Sequence, residues 1–161
     1  MSGNPPRTTP RATPQRTCLG FDYGLRRIGV AVGETLTGSA RPLQTVAARD
    51  GEPDWDALGG LIRSWEPDAL VVGVPLHLDG ARQPMTDAAQ RFARRLEGRY
   101  RLPVHRVDER LSSDEARRVL AARGVSGRAA RTRLDPVAAQ IILETWLNRR
   151  VADTHDTDTE R

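Results

Sequence analysis

The chain has 161 residues, a net charge of +4 and a single cysteine. This length suits one domain that buries a core of its own, and one cysteine can form no internal disulfide, which favours a reducing, cytoplasmic compartment. No apolar run approaches the roughly 20 residues of a membrane span, and the N-terminus carries no hydrophobic signal segment. The composition therefore excludes a disulfide-stapled scaffold, and we expect no membrane association.

The two ends of the chain differ in composition from its middle. Residues 1–16 are rich in Pro, Thr and Arg, and residues 151–161 are polar, with four acids against one arginine. We therefore expect a disordered basic arm and an acidic tail around one domain, 17–150. That domain holds 21 arginines against 17 acidic residues, and the chain contains no lysine. This mild basic excess is compatible with nucleic acid as a partner but does not establish it.

Hydrophobic periodicity predicts five strands and four helices between these ends. The elements are, in chain order, strands at 17–23, 27–33 and 42–47, a helix at 54–65, a strand at 68–75, a helix at 86–100, a strand at 102–109, and helices at 112–124 and 136–150. Asp54 is placed to cap the first helix, Ser112 and Glu115 form a capping box at the third, and Gly124 closes it. A hairpin followed by crossover units predicts a five-stranded mixed α/β sheet with helices on both faces. This arrangement resembles the ribonuclease H-like fold.

The stretch "CLGFDYGLRRIGV", residues 18–30, places the carboxylate of Asp22 in an apolar strand. Strand alternation puts Asp22 on the same face as Cys18 and Gly20, whose small size leaves room beside the carboxylate. A buried carboxylate normally has a partner or binds a metal. Alternatively, Asp22 ends the strand and caps the turn at Gly24. The segment by itself favours neither interpretation.

Two further acids lie where predicted elements begin or end. Glu109 ends the fifth strand, and Asp135 directly precedes the last helix. Each has a structural alternative, because Asp108–Arg110 can form a salt-bridge cluster and Asp135 followed by Pro136 is a favourable helix start. If the fold brings both acids to Asp22, three carboxylates suit Mg²⁺ or Mn²⁺. Two such ions can promote hydrolysis of a phosphodiester.

Several arginines are candidates for contacts with nucleic acid, because the guanidinium group binds phosphate in a bidentate manner. They occur in the predicted hairpin turn, beside the fifth strand, and in the window 117–133, which contains no acid. The candidates are Arg26, Arg27, Arg110, Arg128, Arg131 and Arg133. A solvated helix face and loop would have the same composition as that window. The low aromatic content argues against base stacking as the main mode of binding.

Four motifs, "FDYGLRRIGVAV", "VVGVPLHLDG", "DERLSSDEA" and "LDPVAAQIIL", resemble in this order the signatures of the YqgF-type pre-16S rRNA nucleases, also called Holliday-junction-resolvase-like proteins. The resemblance covers residues 18–150. It implies a ribonuclease H-like fold, a cytoplasmic bacterial protein, and Mg²⁺- or Mn²⁺-dependent cleavage of nucleic acid with Asp22, Glu109 and Asp135 as catalytic metal ligands. One departure is that the fourth strand ends in Gly73–Pro75, without the acid that related nucleases carry there, so Glu109 would replace it from the next strand.

The resemblance makes 5′-end processing of precursor 16S rRNA in ribosome biogenesis the leading expectation, with precursor rRNA as partner and ribosomal particles or branched DNA as further candidates. A Holliday-junction-type DNA resolvase and a non-catalytic nucleic-acid-binding module are the alternatives. Intact acids at all three positions argue against the non-catalytic module. The first motif also resembles the start of sugar-kinase and actin-like ATPases, but the chain offers neither their second domain nor a second Gly-rich phosphate loop.

Overall fold

The computed structural model describes residues 16–77, 79–109, 118, 121–122, 124 and 135–149. Within them a six-stranded sheet has the strand order β4-β3-β2-β1-β5-β6. Its elements are β1 (Thr17–Asp22), β2 (Arg27–Glu34), β3 (Ser39–Arg49), β4 (Glu52–Pro53), α1 (Trp55–Trp65), β5 (Ala69–Pro75), α2 (Pro84–Tyr100) and β6 (Val104–Glu109), followed by a C-terminal helix formed by residues 135–149. Strands β1 to β4 pair antiparallel, whereas β5 pairs parallel with both β1 and β6. The predicted mixed α/β sheet is therefore confirmed.

The predicted count of five strands is one short, because the sequence pattern missed β4. This strand is only two residues long and pairs with the end of β3, after a turn in which Asp50 and Gly51 both adopt left-handed backbone angles. Two residues give no alternation to detect. The ends of β3 were also missed: this strand is longer than predicted, and most of its residues are exposed.

Hydrogen bonds at their first turns fix the positions of α1 and α2. Asp54 caps α1 as predicted, since its side chain accepts the backbone N–H three residues further on. Helix α2 begins at Pro84, two residues before the predicted start. Its buried Thr86 hydroxyl donates to the carbonyl of Pro75 at 2.5 Å and accepts from the Gln83 amide at 2.9 Å, which ties α2 to the end of β5. The described helices include none long and apolar enough to cross a bilayer.

Helices α1 and α2 cover one face of the sheet with large apolar side chains. Phe92 of α2 lies edge-on to Phe21 of β1, with ring centroids 5.8 Å apart, and stacks on Tyr23 at 4.7 Å. The core around this cluster includes Leu19, Ile28, Val30, Leu58, Leu70, Val72 and Leu96. Burial of each large side chain contributes roughly 1.5–3 kcal/mol, so this face carries much of the stability of the domain.

The C-terminal helix covers the opposite face, which confirms the predicted helices on both faces. Its side of the interface is formed by Ala139, Ile142, Leu143 and Leu147, and the sheet side by Cys18, Ala31, Ala69, Val71 and Val107. The sheet residues are small or β-branched. At Gly20 a side chain would meet Cβ of Leu143 at 2.8 Å, so the helix lies close to the backbone of β1.

Several predicted features lie outside the described residues. They are the arm up to residue 15, the capping box of Ser112 and Glu115, the candidate phosphate contacts Arg110, Arg128, Arg131 and Arg133, and the tail 151–161. Gly124 is described, and its φ of 76° is the left-handed conformation expected of a residue that closes a helix.

Candidate active site

The carboxyl ends of β1 and β6 bring Asp22 and Glu109 to the same edge of the sheet. Both strands run parallel to β5, which lies between them, and Pro75 at the end of β5 is the register partner of Glu109. Parallel strands end at a common edge, and alternation places both side chains on the face that the C-terminal helix covers. The two acids of the sheet therefore lie at one end of one face.

Asp135 reaches this edge because the C-terminal helix packs against β2 at this residue. Gly29 is the register partner of Asp22, and a Cβ atom at Gly29 would overlap the backbone carbonyl of Asp135. Only glycine allows so close an approach of two backbones here. The first described turn of the C-terminal helix thus lies beside the strand pair that carries Asp22.

The electrostatics of Asp22 show that both other acids act on it. Asp22 is partly buried, and burial, together with the negative charges of Glu109 and Asp135, raises its pKa from 3.8 to about 8. Desolvation and nearby like charges both disfavour the ionised form of a carboxyl group. A strongly raised pKa at the edge of a sheet is typical of a functional site.

Asp135 carries a buried oxygen without a hydrogen bond. Its Oδ2 has no hydrogen-bond partner among the residues that the structure describes, although Nε of Arg27 lies 3.0 Å away. The contact is therefore one of charge, without the alignment of a hydrogen bond. A buried polar atom left in this state is rare in native proteins and marks a strained or ligand-binding group.

These features fit a divalent cation in their chemistry. Carboxylate oxygens are the donors that Mg²⁺ and Mn²⁺ prefer, and one of the three acids, Asp135, has a buried oxygen with no hydrogen bond to a described residue. Among the described residues, no three His, Cys, Asp or Glu side chains lie close enough together to hold a metal ion between them as they stand. The structure brings Asp22 and Glu109 to one edge of the sheet and places Asp135 near enough for its charge to act on Asp22.

Two of the candidate arginines are described, and they differ in position. Arg27 lies against Asp135, whereas the exposed side chain of Arg26 makes no ion pair with any described residue. The contact of Arg27 with an acid was not predicted, because nothing in a single sequence links β2 to a distant helix. Gly29 was also missed as a site residue, although a glycine inside a strand pattern signals a close backbone approach.

The sheet topology, with helices on both faces, defines the ribonuclease H-like fold. The solved structure of T. thermophilus RuvC in complex with a Holliday junction substrate has a similar fold, with a TM-score of 0.51 and 19% identity over 84% of this chain and 96% of that chain. The family model described as RuvX, Holliday junction resolvase, matches residues 16–149. The chain belongs to this family.

Curated relatives share about half of their residues with this chain. A protein of Azotobacter vinelandii is 50% identical over 137 residues, which cover 85% of this chain and 96% of the relative. A protein of Nitrosococcus oceani is 51% identical over 147 residues, or 91% and 95%. Both are named "Putative pre-16S rRNA nuclease". The resemblance stated from the four motifs is thereby confirmed, and family membership makes the chain a nuclease, a hydrolase that acts on phosphodiester bonds.

Proposed function

We propose that this protein is a cytoplasmic, metal-dependent endonuclease that cleaves structured nucleic acid, with the precursor of 16S rRNA as its substrate. The observation that carries the proposal is the placement of Asp22 within reach of the negative charges of Glu109 and Asp135, although the three acids come from distant parts of the sequence. Negative charges around a largely buried carboxyl group disfavour its ionised form unless a cation compensates them.

In this proposal Asp22, Glu109 and Asp135 hold Mg²⁺ or Mn²⁺. When bound, two such ions activate a water molecule and stabilise the leaving oxygen of a phosphodiester. The chain itself sets the conditions for binding. Asp22, with a pKa of about 8, holds a proton at neutral pH and releases it when a cation takes its place. Asp135 offers a buried oxygen that no hydrogen bond occupies.

Precursor RNA is preferred as substrate because the curated relatives carry that name over nearly their whole length. A second candidate, a four-way DNA junction, is supported by the description of the family model. Phosphate contacts dominate the binding of either substrate, and the exposed Arg26 and Arg27 stand at the loop that leads from β1 to β2. Ribosomal particles are the partners that the RNA substrate would bring with it.

The proposal is tested by incubating the full chain with end-labelled precursor 16S RNA and, separately, with a labelled four-way DNA junction, each with Mg²⁺, Mn²⁺ or a chelator. We expect metal-dependent cleavage of the RNA, none in chelator, and none by Asp22→Asn. Asp68→Asn is the matched control, because this exposed aspartate lies at the opposite edge of the sheet, where it accepts the Thr17 amide.

The outcomes separate the candidates. Cleavage of the junction but not of the RNA would establish the second function instead of the first. Binding of either substrate without cleavage in any metal would contradict a nuclease and support a non-catalytic binding module. Cleavage by Asp22→Asn at the wild-type rate would place the chemistry elsewhere in the chain.

A further inference from the structure

Arg27 faces the acidic edge because of its position in β2. It lies two residues before Gly29, the register partner of Asp22, and strand alternation places residues two apart on the same face. Its neighbour Arg26 lies in the bend that precedes β2, and its side chain is exposed. The two arginines therefore have the same charge and adjacent positions, but only Arg27 meets Asp135.

The Arg27–Asp135 ion pair joins an exposed side chain to a largely buried one. The Arg27 side chain is 62% exposed, whereas that of Asp135 is 20% exposed and carries the buried, unbonded Oδ2. An ionised carboxylate is costly to desolvate without a compensating charge. The guanidinium of Arg27 supplies that charge from the solvent side, and no other ion pair of Asp135 occurs within the described residues.

We infer that Arg27 is a positioning residue that holds the carboxylate of Asp135 in the metal-free protein and is displaced when a divalent cation binds there. The inference rests on the proposed function, since it assigns Asp135 to the cation. The guanidinium of Arg27 and the cation would compete for Oδ2 of Asp135, and two positive charges so close to each other repel. Arg27 therefore weakens cation binding while it compensates the charge of Asp135.

Displacement would give Arg27 a second role. Its guanidinium has several N–H donors in a planar fork that matches a phosphate group, and its exposed side chain can leave Asp135 without breaking core contacts. Cation and substrate binding would then be linked, because the ion frees an arginine that a phosphate can use. The chemical class of ligand for the freed guanidinium is the phosphodiester backbone of the substrate strand.

The first test is a double-mutant cycle in chelator, read by thermal unfolding. Wild type, Arg27→Gln, Asp135→Asn and the double variant are compared, with Arg26→Gln as the matched control in both backgrounds. We expect Arg27→Gln to lower Tm in the wild-type background and to leave it unchanged in Asp135→Asn, where no charge remains to be compensated. Arg26→Gln should have the same small effect in both backgrounds. An equal loss of Tm from Arg27→Gln in both backgrounds would overturn the inference.

The second test is a calorimetric titration with Mn²⁺ in the absence of nucleic acid. Loss of a competing, partly exposed ion pair should lower the Kd of Arg27→Gln for Mn²⁺ about threefold to tenfold, against less than about twofold for Arg26→Gln. Arg27→Lys keeps the charge and should stay close to wild type. An unchanged or raised Kd in Arg27→Gln would overturn the inference.

Cleavage of nucleic acid is scored separately from both tests. If the cycle shows coupling and Mn²⁺ binds more tightly to Arg27→Gln, the inference stands even when the wild type cleaves neither RNA nor DNA, and only the proposed nuclease activity fails. If cleavage is metal-dependent but the two tests show no difference between Arg27→Gln and Arg26→Gln, the proposed function stands and the role of Arg27 fails.

Discussion

The two faces of the sheet are built from different kinds of residue. Under α1 and α2, the face is filled by large side chains such as Phe21 and Phe92, whose rings pack edge to face. Under the C-terminal helix, small residues line the sheet, and Gly29 brings the backbones of β2 and the helix into contact. The first face buries apolar area, which stabilises the domain. The small residues of the second face bury less apolar area, but they let the C-terminal helix pack close enough to bring Asp135 to the strand pair that carries Asp22.

This difference separates stability from chemistry within one sheet. A change on the large-residue face should alter the free energy of unfolding and leave the acidic edge intact. A change on the small-residue face should disturb the arrangement of the three acids even where it lowers the free energy of unfolding only slightly. The following substitutions test that separation.

Phe92→Ala should have the largest effect on stability, because it removes an almost fully buried ring. We expect a loss of about 3–5 kcal/mol in the free energy of unfolding, the usual range for such a truncation. Denaturant titration measures it. At a temperature where the variant stays folded, its Kd for Mn²⁺ should match that of the wild type, and a large change in that Kd would show that the two faces are not independent.

Gly29→Ala should affect both properties. The added methyl group overlaps the carbonyl of Asp135, so the helix backbone at Asp135 must shift. We expect this shift to lower the free energy of unfolding by about 1–3 kcal/mol. Metal-dependent cleavage should fall at the same time. Gly60→Ala is the matched control, since Gly60 in α1 has open space around it, and it should gain up to about 1 kcal/mol. Unchanged cleavage by Gly29→Ala would separate Asp135 from the site.

The pH dependence of stability reports on Asp22. Its pKa of about 8 in the fold lies above its ordinary value of 3.8. Between these two pH values, the folded protein without bound metal therefore holds a proton on Asp22 that the unfolded chain has released. The stability that Asp22 contributes is complete below about pH 4 and is lost as the pH rises through 8. In chelator, Asp22→Asn should therefore be more stable than wild type at pH 8, by about 1–3 kcal/mol for a group that keeps some contact with solvent. The two proteins should converge near pH 4; a constant difference across this range would contradict the raised pKa.

Substitutions of Asp135 separate a helix cap from a metal ligand. Asparagine caps a helix about as well as aspartate, whereas Asp135→Ala should lose about 0.5–2 kcal/mol if the side chain acts as a cap. A neutral amide is a poor ligand for Mg²⁺, so Asp135→Asn should remain folded and lose nearly all cleavage. Thermal unfolding and the RNA assay measure the two properties. An Asn variant that cleaves normally, beside an unstable Ala variant, would leave Asp135 with a structural role only.

Much of this architecture could be predicted from the sequence because the signals were local. The apolar run of β5 and the cap at Asp54 each depend on a few neighbouring residues, and both are confirmed. Strand β4 could not be predicted, since two residues carry no periodicity. Its pairing is set by a turn and by the end of β3.

The site could be predicted only in part. Strand alternation correctly placed Asp22 among small residues, and position alone placed Glu109 at a strand end. That Asp135 comes near Asp22 depends on the helix packing over Gly29, which is a tertiary contact. The pairing of Arg27 with Asp135 is of the same kind, and no pattern within either segment indicates it.

The central claim is that Asp22 and its two neighbouring acids form one cation site. The most direct measurement is the rise in Tm that Mn²⁺ causes in wild type and in Asp22→Asn, recorded at pH 7 without nucleic acid. A ligand at a hundred times its Kd stabilises the fold by about 2.7 kcal/mol, which should raise the Tm of the wild type by several degrees. The account predicts this rise in the wild type and its near absence in Asp22→Asn. Equal rises in the two proteins would contradict it, because the cation would then bind somewhere other than this edge of the sheet.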